Sequence, residues 1–188
     1  LKAHPEVSVE MLLTDRHVDL VEERLDLAVR IGSLTDSGLM ARRLGVIEHL
    51  VCGTPQQVAQ LEGSGIQALA GAARIVDTNQ PSMWRLTGPS GETEQISAAG
   101  RYAVNSAHAA LDACLAGLGL ALLPNFVAHA ALTEGTLVDA LPDWKGPQLG
   151  LYAVVLERRW MSPAVRALVE HTRAVVRERL PDGSGQTR

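Results

Sequence analysis

The sequence predicts an α/β fold arranged in two lobes, and three observations carry that expectation. Strand-like and helix-like runs alternate along most of its 188 residues. At 46% hydrophobic and 20% charged, the chain can bury a sizeable core. In the middle the pattern changes to shorter strands, as a second lobe would show.

Taken in order, "EVSVEMLLT" (Glu6 to Thr14) reads as a strand after Pro5, and "RHVDLVEER" as a helix carrying Val18, Leu20 and Val21. "LDLAVRI" reads as a buried strand closed by Gly32, although it carries Asp26 and Arg30. "LMARRLGVIEHLVCGT" is a longer extended run interrupted by Gly45. Thr54 can cap a helix begun by Pro55. The short strands of the middle are "RIVD", "MWRLTG", "TEQIS" and "RYAVN". "SAHAALDACLAGLGLALLP" is a helix with Ala110, Leu111, Cys114, Leu115 and Leu118 on its apolar side, ended by Gly117 and Gly119 and followed by a strand that Pro124 stops. A short helix ending at Gly135, an edge strand "TLVDAL" and a buried strand "LGLYAVVL" follow. The last helix starts at Ser162 and Pro163 and keeps Val165, Leu168, Val169, Thr172, Val175 and Val176 on one face. The tail "PDGSGQTR" reads as disordered.

Composition narrows the function. A net charge of -4 gives the chain no electrostatic reason to bind nucleic acid or an anionic membrane. Cys52 and Cys114 lack metal-ligand spacing and disulfide-scaffold density, so both are read as reduced, buried thiols of a cytoplasmic protein. No run of apolar residues approaches a membrane span and no export signal is visible. There is no P-loop, no dinucleotide glycine fingerprint and no paired-histidine spacing, so no cofactor and no metal is expected. His49, His108, His129 and His171 read as surface or hydrogen-bonded core residues. Neither Ser33 nor Ser90 has the strand-turn-helix setting of a hydrolase nucleophile, and no catalytic residue is assigned. Trp84, Trp144 and Trp160 read as packing residues.

The stretch "HPEVSVE" with "LLTDRHVDLVEERLDLAVRIGSLTDSGLMARRLG" resembles the effector-binding domain of LysR-type transcriptional regulators, in the subgroup of CrgA-like proteins. "VNSAHAALDACLAGLGLALLPNFVAHAALTEGTLVDALPDW" and "LYAVVLERRWMSPAVRALVEHTRAVV" resemble later segments of the same family, in the same order. The likeness is loosest from Leu61 to Gly100.

That resemblance implies a fold similar to type 2 periplasmic binding proteins, two α/β lobes joined by two crossover strands, with a small effector in the cleft. The crossovers would fall near "LVCGTP" and "QLGLYAVV". Lobe I would comprise residues 1–53 and 151–188, and lobe II residues 54–150. Open α/β sheets bind ligands at the carboxyl ends of their strands, which nominates Thr14, Arg30, Gly32, Thr54, Asn105, Ser106 and Pro124 as effector-binding residues. For Arg30 two readings stand: an ion pair with Asp26 or Asp15, or a charge-assisted fork for a carboxylate effector. Asn105 and Ser106 could cap the following helix or contact the ligand.

The resemblance also implies parts that would precede Leu1: a winged helix-turn-helix, a linker helix, and the first strand of the effector domain with its loop. Loss of an interior strand would cost much of a domain's stability, so the sequence is expected to be a fragment of a longer chain. The expected function is an effector-sensing, non-enzymatic regulatory domain that binds a small organic acid and acts as a homodimer or homotetramer. DNA would be bound only through the winged helix-turn-helix. The alternative readings are a solute-binding protein of a transporter, which shares the fold, and an enzyme, for which no constellation appears.

Overall fold

The structure, a computed structural model, describes residues 1–2, 4–14, 18–32, 39–61, 65–156 and 162–179. It divides into two compact units. Unit 1 is built from Leu1–Val46 and Gly150–Arg188, and unit 2 from Ile47–Leu149. Two strands, β2 (Met40–Gly53) and β9 (Gln148–Val155), run from one unit into the other.

In unit 1, β1 (Ala28–Ile31) pairs antiparallel with β9, in the register Ala28↔Val154 to Ile31↔Leu151. The C-terminal helix α4 (Pro163–Arg179) presents Val165 and Val169 as buried residues, with Leu168, Thr172, Val175 and Val176 half-buried. This is the face expected from its 3.6-residue period. Gly45 does not interrupt β2, which runs continuously over 14 residues. Its missing side chain instead makes room for Val176, since a Cβ at Gly45 would lie 2.8 Å from Val176 Cγ1.

Three expectations for unit 1 need correction. Residues 6–14 form no strand: no ladder runs through them, and Met11, Leu12 and Leu13 are exposed. A strand exists only where a neighbour takes up its N–H and C=O groups, and apolar alternation alone does not supply one. The expected helix of residues 16–24 is a single turn where it is described. Asp19 caps it, its Oδ1 accepting from the N–H groups of Val21 (2.7 Å) and Glu22 (3.0 Å). Arg24, at φ 55°, ends it at once, with the Leu25 N–H donating to the Leu20 carbonyl at 2.9 Å. Asp15, Arg16 and His17 lie outside the described residues. Finally, the buried strand expected from Leu25 to Ile31 is only half-buried, because β1 exposes Val29 and Ile31.

Unit 2 is organised around β2 and β7 (Ala121–Pro124), antiparallel in the register His49↔Pro124 to Cys52↔Ala121. The two-residue β8 (Val138–Asp139) pairs with β2, much shorter than the edge strand read from "TLVDAL". β3 (Ile75–Asp77) runs parallel to β6 (Tyr102–Val104), and a parallel bridge from Arg74 to Leu120 joins β3 to the start of β7. β4 (Met83–Thr87) and β5 (Thr93–Ser97) make an antiparallel hairpin.

Side chains of a strand alternate between faces, and unit 2 buries both. Cys52, Ala121 and Leu123 face a core with Ala110, Ala113 and Cys114 of α2 (Ala107–Leu115) and Ala128 and Ala131 of α3 (Asn125–Thr133). Val51, Leu120 and Leu122 face a second core with Trp84, Leu86 and the 3-10 turn residues Ile66 and Leu69. On α2, Ala110 and Cys114 are buried and Leu111 packs against them as expected, but Leu115 and Leu118 are exposed and Ala113 completes the buried set. Small residues at that spacing let the helix sit close to the sheet. Gly117, at φ 77°, ends the helix, with the Leu118 N–H donating to the Ala113 carbonyl at 3.0 Å. The tail and Trp160 lie outside the described residues.

Candidate functional site

The parallel strands β3, β6 and β7 point their carboxyl ends the same way, and polar groups collect there. β6 runs through Asn105 into Ser106, the N-cap of α2, whose Oγ accepts from the Ala109 N–H at 3.5 Å. β7 ends at the buried Pro124, and α3 begins at the next residue. Between them the turn after β3 spans the gap. Asn79 Nδ2 donates to the Asn105 carbonyl (2.6 Å), and Gln80 Nε2 donates to the Leu122 carbonyl (3.1 Å) and to Asp77 Oδ2 (3.3 Å). The other carboxylate oxygen, Asp77 Oδ1, accepts from the Asn79 N–H at 3.0 Å.

Asn105, Ser106 and Pro124 are therefore brought to one end of unit 2. Thr54 is not with them. Register places Cys52 opposite Ala121 and His49 opposite Pro124, so the residue after Gly53 lies beyond the amino end of β7, roughly 17 Å of strand away from Pro124. There Thr54 caps α1 (Pro55–Ala59) in a capping box. Its Oγ1 accepts from the Gln57 N–H (3.3 Å), and Gln57 Oε1 accepts from the Thr54 N–H (3.0 Å) and from its hydroxyl (3.1 Å).

In unit 1, Thr14 is exposed and outside any strand. Arg30 lies half-buried on β1, and its Nη2 donates to the Val18 carbonyl at 2.6 Å. This backbone partner belongs to neither of the readings made for it. Asp19 is held below the usual carboxylate range chiefly by the Glu22 and Val21 N–H groups, with the Arg30 charge adding to them. Gly32 follows at φ 128°, a conformation that favours glycine, and its N–H donates to the Gly150 carbonyl at 2.9 Å.

Sequence reasoning missed the residues that tie the unit 2 end together. The "DTNQ" that follows β3 is a turn-forming run, and a strand followed by such a run was the available signal. His49 was read only generically. It is 5% exposed, and its Nδ1 is 2.9 Å from the Pro147 carbonyl. Burial lowers its pKa, opposed by the Pro147 carbonyl and by the nearby Asp77 charge. Burial likewise raises the Asp139 carboxyl, opposed by the Leu141 N–H. Cys52 and Cys114 are free and buried, as expected, and Cys114 Sγ donates to the Cys52 carbonyl at 3.3 Å. Among the described residues no group of three or more His, Cys, Asp or Glu is placed to hold a metal ion, and no helix is long and apolar enough to cross a membrane.

Comparison with known proteins gives this geometry its setting. The chain resembles the regulator AphB of Vibrio cholerae, described as a virulence activator of the LTTR family, with a TM-score of 0.79 over 93% of this chain and 60% of that one, at 23% identity. It also resembles the CrgA regulatory domain of Neisseria meningitidis, with a TM-score of 0.70 over 82% of this chain and 77% of that one, at 23% identity. The fold is thus the two-lobed α/β fold of type 2 periplasmic binding proteins. Residues 1–177 match the family described as LysR substrate binding domain, and the chain belongs to that family.

Among curated relatives, the HTH-type transcriptional regulator PtxR of Pseudomonas aeruginosa is 36% identical over 176 residues, 92% of this chain and 56% of PtxR. A regulator of Klebsiella pneumoniae, LtrA, is 32% identical over 151 residues, 76% of this chain and 47% of LtrA. The chain spans about half the length of these relatives. Both are named as transcriptional regulators rather than transporter solute-binding proteins.

Proposed function

We propose that this chain is the effector-sensing domain of a LysR-type DNA-binding transcriptional regulator, that it is not an enzyme, and that its effector is a small organic acid. The observation that carries the ligand class is the convergence at the carboxyl ends of β3, β6 and β7. There the start of α2 offers backbone N–H groups and a positive dipole end to a carboxylate, with Asn105 and Ser106 beside it and Pro124 across the turn. Names of the relatives support the regulatory role. The regulator would act in the cytoplasm as a homodimer or homotetramer and would bind DNA through a winged helix-turn-helix outside these 188 residues. A ligand alters transcription only as far as it binds one arrangement of the assembly better than another.

The test is a thermal-shift screen of the chain against small organic acids and neutral analogues of each. A ligand that binds only the folded state raises the melting temperature in a saturable way. Support would be a shift produced by an acid, absent with its amide or ester, and reduced by Asn105→Ala or Ser106→Ala. A chain shifted equally by acids and neutral analogues would overturn the carboxylate assignment.

A further inference from the structure

Among the described residues His49 is the polar side chain that the protein buries, at 5% exposure. It stands at the end of the sheet where the carboxylate site is proposed. Register sets it directly opposite Pro124, the last residue of β7, and such cross-strand partners have Cβ atoms roughly 5 Å apart.

Its tautomer follows from its partners. The Pro147 carbonyl accepts twice from His49, from the backbone N–H at 3.2 Å and from Nδ1 at 2.9 Å. A carbonyl oxygen only accepts, so Nδ1 carries the proton, and in the neutral ring Nε2 is left as an acceptor. Burial keeps the ring neutral by holding its pKa below 6.5, against the pull of the Pro147 carbonyl and the Asp77 charge. The residue is also wedged in place, since a Cβ added to Gly146 would stand 3.2 Å from His49 Cβ.

The two nitrogens occupy opposite edges of the imidazole. Nδ1 is turned to the β9 side of β2, so Nε2 turns away from it, and the charge acting on the ring is that of Asp77 at the end of β3. No described group bonds to Nε2. Among the described residues the sealed side-chain nitrogen without a partner is Arg74 Nε, so Nε2 is open to what occupies the strand ends. Polar atoms in such surroundings are bonded with few exceptions, and an acceptor held this rigidly calls for a donor. A hydroxyl is satisfied by one acceptor, whereas an ammonium group brings three N–H donors.

We infer that His49 is a specificity-determining residue whose Nε2 accepts a hydrogen bond from a hydroxyl of the effector, which is therefore a hydroxy acid. The inference rests on the carboxylate site proposed above and names the second group of its ligand.

Matched pairs test it: 2-hydroxyglutarate with glutarate, and 3-hydroxybutyrate with butyrate, each titrated calorimetrically into the wild-type chain, His49→Asn and His49→Gln. At least one hydroxy acid should bind the wild type about fivefold or more tightly than its parent acid, the scale of one hydrogen bond. An Asn amide nitrogen stands where Nδ1 does and can keep the Pro147 bond, so His49→Asn should fold with its preference lost. A Gln amide reaches the Nε2 position instead, so His49→Gln should keep part of the preference at some cost in stability. In nitrogen NMR spectra of the wild type, Nε2 should resonate as an unprotonated nitrogen and shift with the hydroxy acid but not with its parent. A role confined to packing would leave that resonance unmoved. If Nε2 proves protonated in the free chain, or if hydroxy acids bind no better than their parents because water fills the position, the inference is overturned and the carboxylate site stands. The same follows if His49→Asn keeps the preference. If no member of either pair binds, the inference and the carboxylate site fall together.

Discussion

Gly45 on β2 and Val176 on α4 meet so closely that a Cβ added to the glycine would stand 2.8 Å from Val176 Cγ1. Valine is stiff at χ1, so its methyl cannot swing away without moving the helix. Gly45→Ala should therefore destabilise unit 1 by about 1–3 kcal/mol, the usual range for overpacking. Urea denaturation of Gly45→Ala, Val176→Ala and the double variant reads this directly. The double variant should be more stable than the two single effects added together predict. Strict additivity would show that β2 and α4 do not press on each other at this point.

Thr54 provides a second stability prediction. Its hydroxyl and the Gln57 side chain close a reciprocal cap on α1, and Gln57 Nε2 reaches on to the Gly117 carbonyl at 3.0 Å. Thr54→Ala should cost about 1 kcal/mol and Thr54→Ser only a few tenths. The acid-induced thermal shift should survive both substitutions, since Thr54 lies at the opposite end of β7 from Pro124. Loss of that shift in Thr54→Ser, with stability intact, would place the hydroxyl on the ligand instead.

The elements legible in the sequence are those whose partners are close in sequence or whose punctuation is strong. Thr54-Pro55, Gly117 and Pro124 fixed the ends of α1, α2 and β7, and the short strands from Ile75 to Val104 emerged where they were read. The failures share a cause. Residues 6–14 have the composition of a strand, but strand formation depends on a neighbour that alternation cannot report. Leu115 and Leu118 looked like core because they are large, whereas the sheet accepts the small Ala113 beside the expected Ala110 and Cys114. At the candidate site, Asn105, Ser106 and Pro124 were legible because a strand end followed by a cap or a proline marks the carboxyl edge of an α/β sheet. Asp77 and Gln80 were not, since the bond from Gln80 to Leu122 joins residues far apart in sequence.

The two cysteines should be chemically silent in the folded chain. Burial pushes the Cys114 thiol up to about 11, with only the Ala121 backbone opposing it, and pushes Cys52 higher still. The thiolate is the reactive form, so neither side chain offers an appreciable fraction of it near neutral pH. Mass spectrometry after iodoacetamide treatment at about pH 8 should find both unmodified in the native chain and both modified in denaturant. Rapid native labelling of either would mean that the core around α2 opens on the timescale of the reaction.

His49 makes the stability of unit 2 pH-dependent. It is almost fully buried between the Pro147 carbonyl and the end of β7, and burial holds its folded pKa below the ordinary 6.5. Above that value both folded and unfolded chains carry a neutral imidazole, and no proton distinguishes them. As pH falls through it, the unfolded chain takes up a proton that the folded chain resists, so stability declines until the lower folded pKa is reached. Asp139 acts with the opposite sign, because its raised carboxyl favours the folded state below 3.8 and that advantage fades as pH rises from there through its folded pKa. The two are separated by comparing variants. Chemical denaturation of wild type and His49→Gln between about pH 7.5 and pH 5 should show a steeper loss in the wild type, the difference opening near the unfolded histidine value. Equal slopes in both chains would mean that the imidazole is not the group whose protonation is linked to unfolding.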